Sequence, residues 1–148
     1  MPEIVNSSRF GSIEVSDDAV IDFPAGLIGV GGSRFALIGR DEGDAFLWLQ
    51  ETELPELALP VTDPFPFFPD YEVLLADAEA ERTGITDPAD VGVLVVVRAD
   101  ADDPAAIGAN LLAPILVAGG VGHQVMNEAG WVPLREPLFA GGRRPAVA

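Results

Sequence analysis

The stretch VGVLVVVR, residues 91–98, is the most hydrophobic segment of the chain and decides its fold class. Five of its eight residues are valine, a β-branched residue that favours strands over helices. A run that is apolar at consecutive positions is typical of a strand buried on both faces. We therefore predict that residues 91–98 form a central buried strand.

Shorter segments of the same kind lie on both sides of this strand, separated by turn-forming residues. The chain of 148 residues contains 16 glycines and 13 prolines, whose spacing leaves few windows long enough for an ordinary helix. The pattern predicts turns at residues 23–27 and 119–122, loops at 40–44 and 100–104, and a bulge, an edge or a bend at Pro114. The predicted strands are residues 12–16, 20–23, 34–39, 45–50, 57–61, 71–75, 91–98, 109–118 and 124–127.

A single helix is predicted between these strands. Residues 77–83 are rich in alanine and glutamate, and Gly84 follows as a C-terminal stop. Many short strands with turns every eight to twelve residues favour an antiparallel barrel or sandwich. We predict a mainly β fold, a small antiparallel β-barrel-like single domain over residues 1–139 with one short helix. Residues 131–139 are expected to lie across an open end, and residues 140–148 to form a disordered tail.

The composition excludes many kinds of chemistry. The chain has 24 acidic residues, eight basic residues that are all arginine, one histidine (His123) and no cysteine, and its net charge is −16. Thiol nucleophiles, disulfides, Schiff-base lysines and cysteine-based metal sites are therefore impossible. We predict no cofactor and no metal site. His123 lies in a glycine-rich stretch and is expected to be an ordinary surface histidine.

The strong negative charge also limits the partners. Nucleic acids and anionic membranes repel such a surface, so the sequence predicts no direct nucleic-acid binding, no membrane association and a basic protein partner. The first ten residues lack the basic and apolar regions of a secretory signal, which indicates a cytoplasmic protein. Halophilic solubility is an alternative explanation of the acidity.

The densest group of aromatic and proline residues, at positions 61–71, is the candidate partner-binding surface. Prolines stiffen the backbone and so limit the entropy lost on binding. Exposed aromatic rings among carboxylates suit a partner with an apolar anchor and a basic rim. The alternative is that at least two of the four aromatics are ordinary core. The candidate partner-binding residues are Asp63, Phe65, Phe67, Phe68, Asp70, Tyr71, Glu72 and Asn110.

Asn110 is included because a lone amide in the apolar stretch 109–114 must find hydrogen-bond partners or meet water. It either clamps the backbone of a partner or ties down a neighbouring loop. No catalytic residue is predicted. The glycines at 29–32 and 119–122 match neither a dinucleotide fingerprint nor a phosphate loop, and Ala105 and Leu111 stand where a calcium loop after Asp100 needs glycine and glutamate.

Six collinear blocks resemble the bacterial flagellar assembly factor FliW family, over residues 10 to 138. They are Phe10-Gly11, IDFPAGL at 21–27, FLWLQ at 46–50, VTDP at 61–64, FPDYE at 68–72 and ANLLAPI at 109–115. The resemblance implies a small, non-enzymatic cytoplasmic protein that binds flagellin before export. When freed, it binds and antagonises the RNA-binding translational regulator CsrA, which relieves repression of flagellin mRNA.

The sequence is compatible with two mechanisms by which the chain could antagonise the regulator. An acidic surface either covers the RNA site of the regulator as a mimic, or binds elsewhere and disfavours the RNA-competent state, which is the family's expected allosteric case. The alternative function is a carboxylate- and aromatic-lined β-barrel that binds or hydrolyses a small molecule. That function predicts a concave pocket with two carboxylates about 5 to 10 Å apart.

Overall fold

The computed structural model describes residues 3–8, 10–28, 32–39, 46–87, 91–98, 108–129 and 136–137. The predicted loops at 40–44 and 100–104, the predicted tail at 140–148 and most of 131–139 lie outside the described residues. The strands are β1 Glu3–Ser7, β2 Gly11–Val15, β3 Val20–Asp22, β4 Arg34–Ile38, β5 Leu47–Glu51, β6 Ala58–Thr62, β7 Gly92–Arg98, β8 Gly108–Ala109, β9 Ile115–Ala118, β10 Val121–Gln124 and β11 Glu136–Pro137. The helix α1 spans Asp77–Thr83, and a 3₁₀ turn covers Asp17–Ala19.

Seven strands close into a barrel. The strands β3 to β7 pair antiparallel in chain order, β7 pairs with β9, and β9 pairs with β10. A parallel contact of β10 with β3, Val121 opposite Asp22, completes the 7-strand barrel. The strands β8 and β11 extend the sheet from β7. The predicted β-barrel-like fold is confirmed, with residues 91–98 in the barrel wall.

The interior of the barrel is filled by side chains from alternate strand positions. Its buried cluster is Ile21, Phe23, Leu27, Phe35, Leu49, Val61 and Ile115. The rings of Phe23 and Phe35 meet edge to face with centroids 5.4 Å apart. Because successive residues of a strand face opposite sides, the neighbours of these residues point outward and need a second covering.

Gly122 allows β10 to approach this core. A Cβ atom at position 122 would lie 2.5 Å from Cε2 of Phe23, so only glycine lets the strand pass the ring. The turn is confined to Gly119 and Gly120, both with positive φ, and β10 begins at Val121. The predictions of a turn through residue 122 and of a strand at 124–127 were therefore wrong in register. Gly122 packs against Phe23 within β10, and the half-buried His123 follows it in the same strand.

Strand β1, which the sequence patterns did not indicate, forms a hairpin with β2 that covers one outer face of the barrel. Val5 and Val15 pack on the outward-facing Val20 and Ala36. The hydroxyl of Ser7 donates to Oε1 of the buried Gln50 at 2.7 Å. The hairpin is therefore fixed to the barrel by an apolar contact and by a buried polar one.

The rest of the outer wall is covered by residues 64–87. Tyr71 and Leu111 cover Val95 and Val97 of β7, while Ile85 packs on Leu116 and Val125. Helix α1 is confirmed at the predicted position, with Gly84 in the left-handed conformation at φ +75°. Within the described part of the chain, no helix is long and apolar enough to cross a membrane.

The predicted strand at 71–75 does not form. Instead of a neighbouring strand, the side chain of Asn127 bonds this extended segment: the N–H of Leu74 donates to Asn127 Oδ1 at 2.9 Å, and Asn127 Nδ2 donates to the carbonyl of Glu72 at 2.8 Å. One backbone bond follows, from the N–H of Glu128 to the carbonyl of Leu74 at 2.8 Å. The side-chain amide of Asn127 therefore takes the place of the backbone hydrogen bonds that a neighbouring strand would supply.

Candidate partner-binding surface

The aromatic segment, residues 63–72, leaves the end of β6 and folds into consecutive turns. Oδ1 of Asp63 accepts the N–H of Phe65 at 3.0 Å. The carbonyl of Pro64 accepts the N–H groups of Phe67 and Phe68 at 3.1 and 2.8 Å. Proline restricts φ at positions 64, 66 and 69, so local bonds and stiff residues define the shape of the segment before any partner binds.

The four aromatic side chains of this segment differ in exposure. Phe65 is 41% exposed and Tyr71 is 4% exposed, with ring centroids 5.9 Å apart. Phe67 and Phe68 are half-buried against the cluster that covers β7, and Phe67 stacks on Phe46 at 6.3 Å. Phe65 is therefore the ring that the structure presents to solvent, whereas the other three rings take part in the packing beneath it.

Tyr71 anchors the segment to the barrel. Its hydroxyl donates to the carbonyl of Leu111 at 2.7 Å and accepts from Asn127 Nδ2 at 3.2 Å. Burial raises the pKa of Tyr71 to about 12, although the hydrogen bond from Asn127 lowers it. Because the hydroxyl stays protonated at physiological pH, it remains a donor to Leu111 and holds the aromatic segment in place.

Leu111 is part of a bulge at residues 110–114, between β8 and β9. Both strands pair with the same edge of β7: Ala109 lies opposite Val97, and Ile115 lies opposite Leu94. Ala109 and Ile115 are six positions apart in sequence, whereas their partners on β7 are three positions apart. Three extra residues therefore leave the ladder. The bulge carbonyls of Leu112 and Ala113 accept from the Asn127 N–H at 2.7 Å and from Gln124 Nε2 at 3.0 Å.

Asn110 closes the start of this bulge. Its Oδ1 accepts the N–H of Ala113 at 3.0 Å, and its own N–H donates to the carbonyl of Val96 at 2.9 Å. The half-buried amide thus ties down its own turn. The structure places Asn110 near the aromatic segment only through Leu111 and Tyr71.

Asn127 is the residue that the sequence reasoning missed. It joins the aromatic segment, the bulge and its own strand end through bonds to Leu74, Glu72, Tyr71 and Ala129. It is 3% exposed. The argument used for Asn110 applies to Asn127 as well. Its side-chain amide follows the apolar residues Val125 and Met126, and a lone amide in such a stretch must find hydrogen-bond partners.

The acidic residues of the aromatic segment carry uncompensated charge. Asp63, Asp70 and Glu72 are exposed, and no ion pair joins them to an arginine among the described residues. The ion pairs that do form lie elsewhere, from Arg34 to Glu3 at 2.7 Å and from Arg82 to Glu79 at 2.8 Å. An exposed ring among three carboxylates provides an apolar contact and an attractive field for a basic partner.

The chain is similar over most of its length to flagellar assembly proteins. The family model described as FliW protein matches residues 4–138. The flagellar assembly factor FliW of Azoarcus sp. is 41% identical over 142 residues, which cover 89% of this chain and 97% of that protein. The flagellar assembly factor FliW of Bdellovibrio bacteriovorus is 33% identical over 141 residues, with 92% and 79% of the two chains covered.

A solved structure supports the same relationship. The crystal structure of a flagellar assembly factor FliW superposes on this fold with a TM-score of 0.79 and 28% sequence identity. The match covers 93% of this chain and 97% of the other. Family model, relatives and barrel agree over nearly the whole chain: it belongs to the FliW family of flagellar assembly factors.

Proposed function

We propose that this chain is a cytoplasmic partner-switch protein that binds flagellin before export and, when freed, binds and antagonises the RNA-binding translational regulator CsrA. It acts by binding and not by catalysis. Membership of a family of flagellar assembly factors supports the flagellar role. The observation that supports the proposed binding surface is the exposed ring of Phe65 beside Asp63 and Asp70, on a segment that Tyr71 anchors to the barrel.

Electrostatics supports the second partner. A protein that binds RNA presents a basic surface, and a domain with a net charge of −16 attracts that surface and repels the RNA. The field accelerates encounter and disfavours acidic competitors. The specific contact then comes from Phe65 and the outer parts of Phe67 and Phe68, because charge alone does not select one basic protein among many.

Titration calorimetry with the cognate flagellin and with the cognate regulator tests this function. We expect Phe65→Ser and Asp70→Arg to weaken binding of at least one partner by about tenfold or more. Matched controls are Ile4→Ser, which removes a 62% exposed aliphatic side chain from the β1–β2 hairpin, and Glu14→Arg on the same hairpin. If neither partner binds the wild-type chain below about 10⁻⁵ M, which is roughly 7 kcal/mol, the proposal is wrong.

The mechanism of antagonism is tested by the rate at which RNA leaves the regulator. If the chain binds away from the RNA site and disfavours the RNA-competent state, adding it to a preformed regulator–RNA complex increases the dissociation rate of the RNA. A mimic that covers the RNA site only blocks rebinding and leaves that rate unchanged. We expect the accelerated dissociation, and flagellin added first should abolish it.

A further inference from the structure

The extended segment at residues 72–75, which we call the 72–75 edge, is bonded on one side to residues 127 and 128. The carbonyl of Glu72 and both backbone groups of Leu74 bond to Asn127 and Glu128. In an extended chain the backbone groups of successive residues point to opposite sides. The backbone groups of Val73 and Leu75 therefore point away from residues 127–128.

On that second side no described residue bonds to the backbone. Across the described part of the chain, the N–H and carbonyl groups of Val73 and Leu75 make no hydrogen bond. Backbone donors and acceptors must bond to water or to another chain. A row of unpaired groups on an extended segment is a template for strand addition.

Two exposed aliphatic side chains lie beside this edge. Leu74 is 48% exposed and Met126 is 45% exposed. The N–H of Glu128 bonds to the carbonyl of Leu74, and Met126 lies two residues before Glu128, on the same face of the chain. The buried Val125 and Asn127 take the opposite face. Leu74 therefore offers an apolar contact next to the backbone of Val73 and Leu75, whereas Met126 lies on the side of the segment that is already bonded.

The exposed charged side chains around the edge are acidic. Glu72, Asp77 and Glu128 are exposed and form no ion pair with any described arginine. The nearby Glu79 is already paired with Arg82 at 2.8 Å, and that pair also binds the backbone of residues 124 and 126. A peptide that adds to this edge therefore needs basic side chains, and an acidic or neutral one gains less.

We propose that the 72–75 edge binds an extended basic segment of a partner protein by β-strand addition, with Leu74 contacting an aliphatic side chain of that segment. Main-chain bonds to Val73 and Leu75 supply the pairing, and the carboxylates select positive charge. The proposal is independent of flagellin and of the regulator, because it rests on the edge itself and not on Phe65 or its neighbours.

The probe is the synthetic nine-residue peptide acetyl-Lys-Thr-Leu-Thr-Arg-Thr-Leu-Thr-Lys-amide, whose basic and leucine side chains share one face, as Glu72 and Leu74 do. Hydrogen exchange on the full chain reports the pairing directly: the amides of Val73 and Leu75 should exchange rapidly in the free protein and slowly with peptide bound. A copy of the peptide N-methylated at alternate residues keeps its charge and side chains but cannot pair. We expect that copy to bind at least about tenfold more weakly.

Side-chain variants test the apolar contact without disturbing the core. Leu74→Ser should weaken peptide binding by about threefold or more, whereas Ile4→Ser, which removes a more exposed aliphatic side chain from the β1–β2 hairpin, should not.

Four results overturn the proposal: no binding up to about 1 mM peptide, equal binding of the N-methylated copy, protection of amides elsewhere without protection of Val73 and Leu75, or protection of these two amides that grows with protein concentration in the absence of peptide. The last result would identify a second copy of the chain as the occupant. Loss of flagellin or regulator binding in the calorimetric experiment leaves all four measurements unaffected.

Discussion

The hydroxyl of Tyr71 controls how firmly the aromatic segment is held, and its ionisation offers a direct measurement. Burial raises the pKa of Tyr71 from 10.0 to about 12, so the folded state holds this proton more tightly than the unfolded state. Stability from this group is fully present below pH 10.0 and is lost as the pH rises through about 12. Two pKa units correspond to roughly 2–3 kcal/mol of unfolding free energy.

The chain is well suited to this titration. Tyr71 is the only tyrosine, and the absence of lysine and cysteine leaves no other side chain that titrates between its ordinary and its raised pKa. Tyrosinate absorbance in the near ultraviolet therefore follows one group, and urea unfolding at several pH values gives the stability in the same window. We expect the folded protein to ionise well above the denatured protein.

Tyr71→Phe separates the hydrogen bond from the ring. The variant keeps the apolar contacts but removes the 2.7 Å bond to the carbonyl of Leu111, which retains only a 3.5 Å contact from Asn127. Loss of one buried hydrogen bond should cost about 1–2 kcal/mol at neutral pH and abolish the alkaline loss of stability. Ionisation of the folded wild type near pH 10, or an unchanged stability in the variant, would refute the argument that this hydroxyl is a buried anchor.

Three further predictions concern the barrel. Gln50→Leu should lower the unfolding free energy by about 3 kcal/mol in urea titrations, because the buried amide bonds a β1 hydroxyl and several loop carbonyls. Gly122→Ala should cost about 1–3 kcal/mol, since its Cβ would lie 2.5 Å from Phe23, whereas Gly92→Ala meets its nearest atom at 3.6 Å and should be nearly neutral in the same thermal melts. Burial lowers the pKa of His123, the only histidine, below its ordinary value of 6.5. The unfolding free energy should therefore fall as the pH drops below 6.5, and His123→Gln should flatten this dependence. An NMR titration midpoint above 6.5 would contradict the prediction.

Local signals predicted much of the fold correctly. The valine-rich strand at 91–98, the hairpin strands around it and the helix ending at Gly84 depend on residue type and on neighbours within a few positions. The strand predicted at 71–75 was wrong for the opposite reason. Its hydrogen bonds come from Asn127, 53 residues beyond Leu74, and no periodicity in a short window reveals such a partner.

The candidate partner-binding surface was likewise predicted only in part from the sequence. Residue type alone indicated an aromatic, proline-stiffened and acidic segment, but not which ring would reach solvent. Phe65, Phe67 and Phe68 are chemically identical, and their exposure differs because β7 and Phe46 lie beneath two of them. Burial is a property of what lies opposite a side chain, so it follows from the tertiary packing.

By itself, the sequence determined the composition-dependent properties: the charge of −16, the excluded chemistries, a β-rich chain with one short helix, and the motifs of a flagellar assembly family. Each of these follows from residue identity or from short-range order. Only the tertiary structure decided how Tyr71 is anchored, why position 122 must be glycine, and which side of the 72–75 edge is bonded to residues 127 and 128. These features depend on contacts between residues far apart in the chain, and such contacts exist only once the barrel has closed.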